Sequence, residues 1–464
     1  MTKTYTTKKE VLTEAKKILG RSLRDVMIDD EVNIEEIEQR LVEYGRRRKG
    51  LLGELVEEFV FGLGVNNRAE ADFKIAGIEL KTNPLKEHSV KKYVSKERLV
   101  FSMINYDEVI YEMWETSSFL KKNKVLLLMF YLWLKEQDVL DYKFKFIHLL
   151  DLLDDISEED IYQIQKDWEY IVGKIKRGEA HLLSEGDTYY LGACTKAANS
   201  RIVRDQPMAR IPAKPRAFSF KQQYLNFLIQ KELLGKGVST ESIFKKKRRL
   251  VTVEDIVKEK LQPFIGKTDI EIKKALKWDL KKEPKQWKRL LVNRMLGVRL
   301  NKIEELEKAN ITLKAITLEH TGTLKESLSF PAFDYKDLVT QVWYDEEEEE
   351  MSEFYVQLET KRFLFAVFQK QKDSKEVIFK KFLFWNFPVK DMSEAENVWN
   401  KTIDCITDDR YENLPKISDS EVAHVRPHGK NAEDTTETLQ GTQEMKRCFW
   451  LNAKYIQKAI ESTE

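Results

Sequence analysis

The chain has little cysteine, no long apolar run and no excess of either charge, and each lack removes a class of protein. Only three cysteines occur in 464 residues, Cys194, Cys405 and Cys448. They are scattered and form no CxxC, which excludes a disulfide scaffold and a structural zinc site and points to a reducing compartment. The start of the chain carries no apolar stretch of the signal-peptide kind. The longest apolar run, Val125 to Leu134, is far too short to span a bilayer and reads as a buried strand. A cytoplasmic protein with no membrane association is therefore expected. Acids and bases nearly cancel at +1 although 34% of residues are charged. A nucleic-acid partner would thus have to be met by local basic patches. Gly235-Lys-Gly is not a Walker A loop, so no use of ATP is expected.

The length suits two or three domains. Residues Thr7 to Leu19 carry apolar side chains at helical spacing up to Gly20, and Leu51 to Phe61 repeat the pattern. From Ala71 the period becomes two. Strands are expected at Leu99–Ile104 and Val125–Leu134, a helix at Ile156–Ile175, and a loop rich in Asn, Arg and Pro from Lys196 to Pro215. The pattern then restarts. Ile18-Leu-Gly-Arg-Ser22 is matched by Phe264-Ile-Gly-Lys-Thr268, and Ile78-Glu-Leu-Lys-Thr82 by Ile311-Thr-Leu-Lys-Ala315. The run Lys96 to Tyr106 is matched by Lys325 to Tyr335, and Lys214 to Lys221, weakly, by Lys446 to Ala453. Four collinear pairs predict a duplicated α/β fold, the alternative being two unrelated α/β domains. The boundary falls between Ile229 and Val251, where Gly235, Gly237 and the basic run Lys245 to Arg249 suit a linker. The acidic run Glu346–Glu350 reads as a solvated loop.

The segment Ala71-Asp-Phe-Lys-Ile-Ala-Gly-Ile-Glu-Leu-Lys-Thr82 carries the chemistry. As a hairpin turning at Ala76-Gly77 it sets Asp72 opposite Lys81 and Lys74 opposite Glu79, all four on one face, with Ile78 and Leu80 on a core face. Asp72 and Glu79 are then diagonal neighbours able to share one Mg²⁺, and Lys81 can hold the attacking water. Gly50, Gly53 and Glu57 fall on one helical stripe that permits close approach and adds a further acid. Lys49 stands at the start of that helix, where amides favour anions. The bare Asp-x₆-Glu-x-Lys pattern also fits a solvated strand face.

These residues resemble a known family. Arg48-Lys-Gly-Leu-Leu-Gly-Glu-Leu-Val-Glu57, Ala71-Asp-Phe73, Gly77 to Pro84, Trp114-Glu-Thr-Ser117, Thr195 to Ser200 and Pro215-Arg-Ala-Phe218 resemble the MutH mismatch-repair endonucleases, which nick at GATC. Ser184-Glu-Gly186, Lys96 to Val100, His424-Val-Arg-Pro-His428 and Phe449 to Asn452 resemble more closely the MutH-like GATC type II restriction endonucleases of Gram-positive bacteria. The resemblance covers essentially the whole chain. It implies a PD-(D/E)xK nuclease fold, a mixed sheet flanked by helices, with a catalytic domain at 1–232 and a second MutH-like domain at 233–464. Glu57, Asp72, Glu79 and Lys81 match the catalytic set, the three acids holding Mg²⁺. Lys49 and Lys122 match further active-site lysines on the DNA side, Lys122 also fitting an ordinary surface lysine. Lys196 and Arg216 match the DNA-contacting loops. The implied partners are double-stranded DNA, a DNA-induced dimer or two-site complex, and a cognate adenine methyltransferase. The alternatives are a mismatch-repair nickase and a decayed-nuclease DNA-binding regulator.

Two departures stand out. The family's Arg-Pro-Lys is Cys194-Thr195-Lys196 here, and the position of its methylation-sensing tyrosine is Ser219. A cysteine cannot make an arginine's bidentate guanine contact. In the second copy Thr312 replaces the carboxylate, Glu305 falls near the position of Asp72, and that of Glu57 falls in Lys288 to Val292. No catalysis is expected there. Arg426-Pro427 keeps an Arg-Pro pair, so that domain either binds DNA through Arg426 or only packs. His424 and His428 read as polar loop residues rather than a metal pair.

Overall fold

A computed structural model describes residues 3–44, 50–64, 70–89, 92–196, 202–233, 235, 239–244, 250–278, 284–345, 350–431 and 433–462. It divides into two compact units: one runs to Val238, the other from Ser239, and the short segment Leu182–Asp187 belongs with the second. Among the described residues no helix is long and apolar enough to cross a membrane. All three cysteines are buried and none forms a disulfide.

The first unit is a mixed α/β layer structure. Its main sheet runs β2 (Lys92–Ser95), β1 (Glu79–Ser89), β4 (Val125–Leu132), β5 (Phe144–Asp151). The apolar run that makes β4 is buried along almost its whole length. It is central, parallel to β1 and antiparallel to β5. A second sheet orders β3 (Leu99–Met103), β9 (Arg216–Phe220), β6 (Leu191–Thr195). The stretch from Lys196 to Pro215, expected as a loop, contains a two-stranded ribbon, β7 (Arg204–Gln206) with β8 (Ala209–Ala213). Helices flank the sheets, among them Lys8–Lys16, capped by Thr7 and Glu10, and the long Glu158–Lys176.

The second unit repeats this order. β10 (Ile311–Leu318) is parallel to β14 (Arg362–Lys370), which is antiparallel to β15 (Val377–Asn386). A second sheet orders β11 (Leu328–Phe333), β19 (Arg447–Leu451), β16 (Ala423–Pro427), and β17 (Thr435–Glu437) pairs with β18 (Gln443–Met445) as a ribbon. Two short strands, β12 (Tyr344–Asp345) and β13 (Glu350–Met351), pair beside the acidic run, of which residues 346–349 lie outside the described residues. The basic run at 245–249 also lies outside them.

The duplication reaches atomic detail. Gly20 and Gly266 both adopt positive φ, +80° and +84°, and donate their N–H to Phe144 and Phe379 at 2.8 Å. Each is followed by a capping box, Ser22 with Asp25 and Thr268 with Glu271. The last sequence match is off by one residue: Arg216 faces Thr195 as Arg447 faces Pro427. Arg447, not Cys448, is therefore the counterpart of Arg216. Ladder hydrogen bonds set that register, and a short motif match cannot.

Candidate active site

The segment from Ala71 to Thr82 departs from the expected hairpin. Residues 74–77 form a tight turn closed by one bridge, with Phe73 N–H to Ile78 O at 2.9 Å and Gly77 N–H to Phe73 O at 2.8 Å. Gly77 takes φ +66°, which a side chain would resist. Phe73 anchors the turn in the core, edge-on to Phe61 (4.9 Å) and Tyr5 (5.5 Å). The bridge sets Asp72 across from Glu79 rather than Lys81. It also takes Lys74 out of the site, where it is exposed and paired with Glu70. From Glu79 onward the partner of the strand is β4, not the segment before the turn.

Glu79 is the hub. It is almost fully buried, and its Oε1 accepts from Lys81 Nζ at 2.8 Å. Lys122 Nζ, brought in by the helix Ser118–Asn123, lies 3.6 Å from the same oxygen. Glu79 Oε2 is buried and has no hydrogen-bond partner among the described residues. Lys81 also reaches the Phe101 carbonyl at 3.4 Å. Asp72 Oδ2 accepts from the Leu80 N–H at 2.8 Å.

Glu57 stands on the π-helical turn Val56–Val60 that continues the helix Leu51–Leu55. Gly50 is the left-handed cap of this helix and not part of its stripe. Gly53 backs onto Thr82 of β1: an added Cβ would lie 3.4 Å from Thr82 Oγ1. The close approach the glycines permit is that of helix to strand. Burial raises the Glu57 carboxyl to about 8, with repulsion from Asp72 and Glu79 adding to it. Burial, then Glu79, raises Asp72 to about 6 against the Leu80 N–H and Lys81. Three acids and a lysine expected together thus feel one another, and Lys122 joins them.

Of the remaining candidates, Lys49 lies outside the described residues. Lys196 follows β6, its N–H bonded to Pro215 O at 2.9 Å. Arg216 is buried, its guanidinium donating to the Ala193 carbonyl at 2.6 Å. Cys194 and Ser219 are both buried, so neither side chain is available to read a base. In the second unit Arg426 is exposed and lies over the Trp450 ring at 4.2 Å. Trp450, at the register position of Ser219, was not singled out by sequence reasoning. His424 is buried against Asn452, and His428 meets the edge of Trp450. Glu305 does not serve as a second Asp72: its carboxylate takes the Ile243 N–H at 3.0 Å and the Ser242 hydroxyl.

No three His, Cys, Asp or Glu side chains close on a metal position among the described residues. The donor set nevertheless suits a hard divalent cation that retains several waters, since Glu79 offers a buried oxygen without a partner beside Asp72. A buried carboxylate strongly penalises a vacant lone pair.

An acidic strand with a lysine two residues on, a second acid across a tight turn and a third on a facing helix are groups suited to metal-dependent phosphodiester hydrolysis. A family model described as DNA mismatch repair enzyme MutH matches residues 61–167, which include Asp72, Glu79, Lys81 and Lys122. The chain is 31% identical to the type II restriction enzyme Sau3AI of Staphylococcus aureus, over 98% of this chain and 99% of that one. MutH mismatch-repair proteins of Shigella flexneri serotype 5b and Escherichia coli K12 are 25% and 26% identical over 49% and 41% of this chain. The chain belongs to the MutH-like type II restriction endonucleases, site-specific deoxyribonucleases of double-stranded DNA that use a divalent metal.

The raised acids give a pH prediction. Both bind protons more tightly folded than unfolded. Their contribution to the stability of the metal-free chain is therefore full below about pH 4 and is lost as pH rises through about 6 for Asp72 and about 8 for Glu57. A divalent cation competes with those protons, so its affinity rises by up to roughly tenfold per pH unit in this window. In thermal denaturation, Mg²⁺ is expected to raise the unfolding temperature more at about pH 8.5 than at about pH 6. Equal gains at both would remove these carboxylates as ligands.

Proposed function

We propose that the chain cuts duplex DNA at GATC sites with Mg²⁺, using one active centre per chain. Residues 1–232 carry that centre, and residues 233–464 bind DNA without cutting it. The observation that carries this reading is the partnerless, buried Oε2 of Glu79 within a group of two lysines and two further acids. Asp72 and Glu79, with Glu57, would hold the metal, which would supply neutralisation of charge on the scissile phosphate. Lys81 would orient the attacking water, and Lys122, which shares Glu79 Oε1 with it, would face the phosphate. Lys49, Lys196 and the strand pair that the buried Arg216 braces form the DNA-contacting side of the first unit, Arg216 acting through that brace, and Arg426 on Trp450 forms that of the second.

With Cys194 and Ser219 buried, groups other than those of the MutH pattern read the bases. One centre per chain requires two chains, or two sequential nicks, to break both strands, which supports a DNA-induced dimer or two-site complex. Such an enzyme works in the cytoplasm beside an adenine methyltransferase that protects host sites. A mismatch-repair nickase is the weaker reading, because the MutH relatives align with only about half of this chain.

Plasmid carrying unmethylated GATC sites is expected to be cut in Mg²⁺ and left intact in EDTA. Sequencing the ends, with and without adenine methylation, gives site, strand count and methylation response. Cutting in EDTA, or ends away from GATC, would overturn the assignment.

A further inference from the structure

The second unit lacks the carboxylate at Thr312, and a cation, Arg289, stands in the stretch that corresponds to Glu57. Thr312 and Lys314 of β10 pair with Phe363 and Phe365 of β14, as Glu79 and Lys81 pair with Leu126 and Leu128 of β4. Lys314 thus stands where Lys81 stands. Lys81 has Glu79 at 2.8 Å. Lys314 has a threonine two residues before it and makes no hydrogen bond or ion pair among the described residues.

What faces Lys314 has also changed sign. The helix Trp287–Met295 lies along β10, with Lys288 Nζ donating to Thr317 Oγ1 at 2.6 Å. Arg289, next on this helix, falls in the stretch corresponding to Glu57. It repels the Lys314 ammonium as Glu57 and Asp72 repel each other in the first unit. The Nε of Arg289 is buried with no acceptor among the described residues. Lys361, the residue before β14, adds a third charge, its Nζ held by Gln357 Oε1 at 2.6 Å. Among the described residues no carboxylate acts on either ammonium. Three partly buried cations without a counter-charge cost stability. An anion is the partner that would remove that cost, and a phosphate diester suits an arginine and two lysines.

We propose that the vacated catalytic centre of the second unit, Lys314, Arg289 and Lys361, is a phosphodiester-binding site that grips the backbone of duplex DNA. The inference rests on the reading of this chain as a DNA-cutting enzyme whose second unit binds DNA. It is distinct from Arg426, which lies on another strand, β16.

The test uses the full chain carrying Glu79→Gln, so that DNA is bound and not cut. A labelled duplex is titrated over a range of salt concentrations against this parent and against the same chain with Lys314→Gln and Arg289→Gln. The double variant is expected to bind several-fold more weakly, with a salt slope smaller by about 1. Lys314→Arg should retain the parent's slope. The double variant should unfold at no lower temperature than the parent, because it loses repulsion rather than packing. Unchanged affinity and slope overturn the inference alone, whereas a Glu79→Gln parent that binds no DNA overturns it together with the reading beneath it. Inorganic phosphate raising the parent's unfolding temperature, with no effect of the substitutions on the DNA slope, assigns the site to free phosphate and overturns the DNA assignment.

Discussion

Glu79→Gln is expected to lower DNA cleavage by on the order of 10⁴-fold while leaving DNA binding intact. The substitution keeps the volume of a side chain that is buried at 3% exposure, so packing against β4 is retained. It removes the charge that holds Lys81 at 2.8 Å and Lys122 at 3.6 Å, and it turns one carboxylate oxygen into a donor. The partnerless Oε2 cannot then act as a metal ligand. Loss of this negative charge also favours approach of the phosphate backbone, so binding should hold or tighten. Plasmid cleavage measured beside duplex titration separates the two effects. Cutting within tenfold of the parent would take Glu79 out of the chemistry, and loss of both binding and fold would make it a structural residue.

Asp167→Ala is expected to cost about 3 kcal/mol or more of stability in urea or thermal unfolding. Asp167 lies on the buried face of the helix Glu158–Lys176 and touches no candidate catalytic residue. Its Oδ1 accepts from the Tyr189 N–H at 3.1 Å and from Gln163 Nε2 at 3.0 Å, and its Oδ2 from the Tyr190 and Leu191 N–H groups at 2.6 and 2.9 Å. These bonds fasten the start of β6, the strand that ends beside Lys196. Alanine leaves three backbone donors buried without acceptors, each carrying a desolvation penalty of about 1 kcal/mol or more. Asp167→Asn should fall between, since its amide accepts on one side only. Burial raises the carboxyl to about 6 despite these donors. A loss below about 1 kcal/mol would mean that water or other groups replace the carboxylate.

Much of this protein is written locally. The capping boxes at Thr7, Ser22, Thr252 and Thr268 follow from residues three apart. The β4 strand follows from an apolar run. Asp72, Glu79 and Lys81 are legible because they lie within ten residues of one another, and Thr312 marks the loss of the acid in the second copy just as plainly. The face each residue presents was less legible. A hairpin through Ala76-Gly77 satisfied alternation, yet Phe73 has a better place between Tyr5 and Phe61, and its burial tightens the turn and moves Asp72 opposite Glu79. Glu305 matched by counting and failed in space, because counting assumes a constant path and this side chain is taken by Ser242 and Ile243.

The candidate acid–acid–lysine pattern, the repeat of the fold and the loss of one copy's carboxylate at Thr312 were determined by the sequence alone. The tertiary structure decided which groups share a field. Parallel pairing of β1 with β4 sets Lys122 beside Glu79 across some forty residues of chain, and the equivalent pairing of β10 with β14 gathers Arg289, Lys314 and Lys361 around a position that reads from sequence as merely vacant. Charges interact through space over a few ångströms and local patterns record only neighbours along the chain, so the sign of the second centre became visible only once the sheet was built.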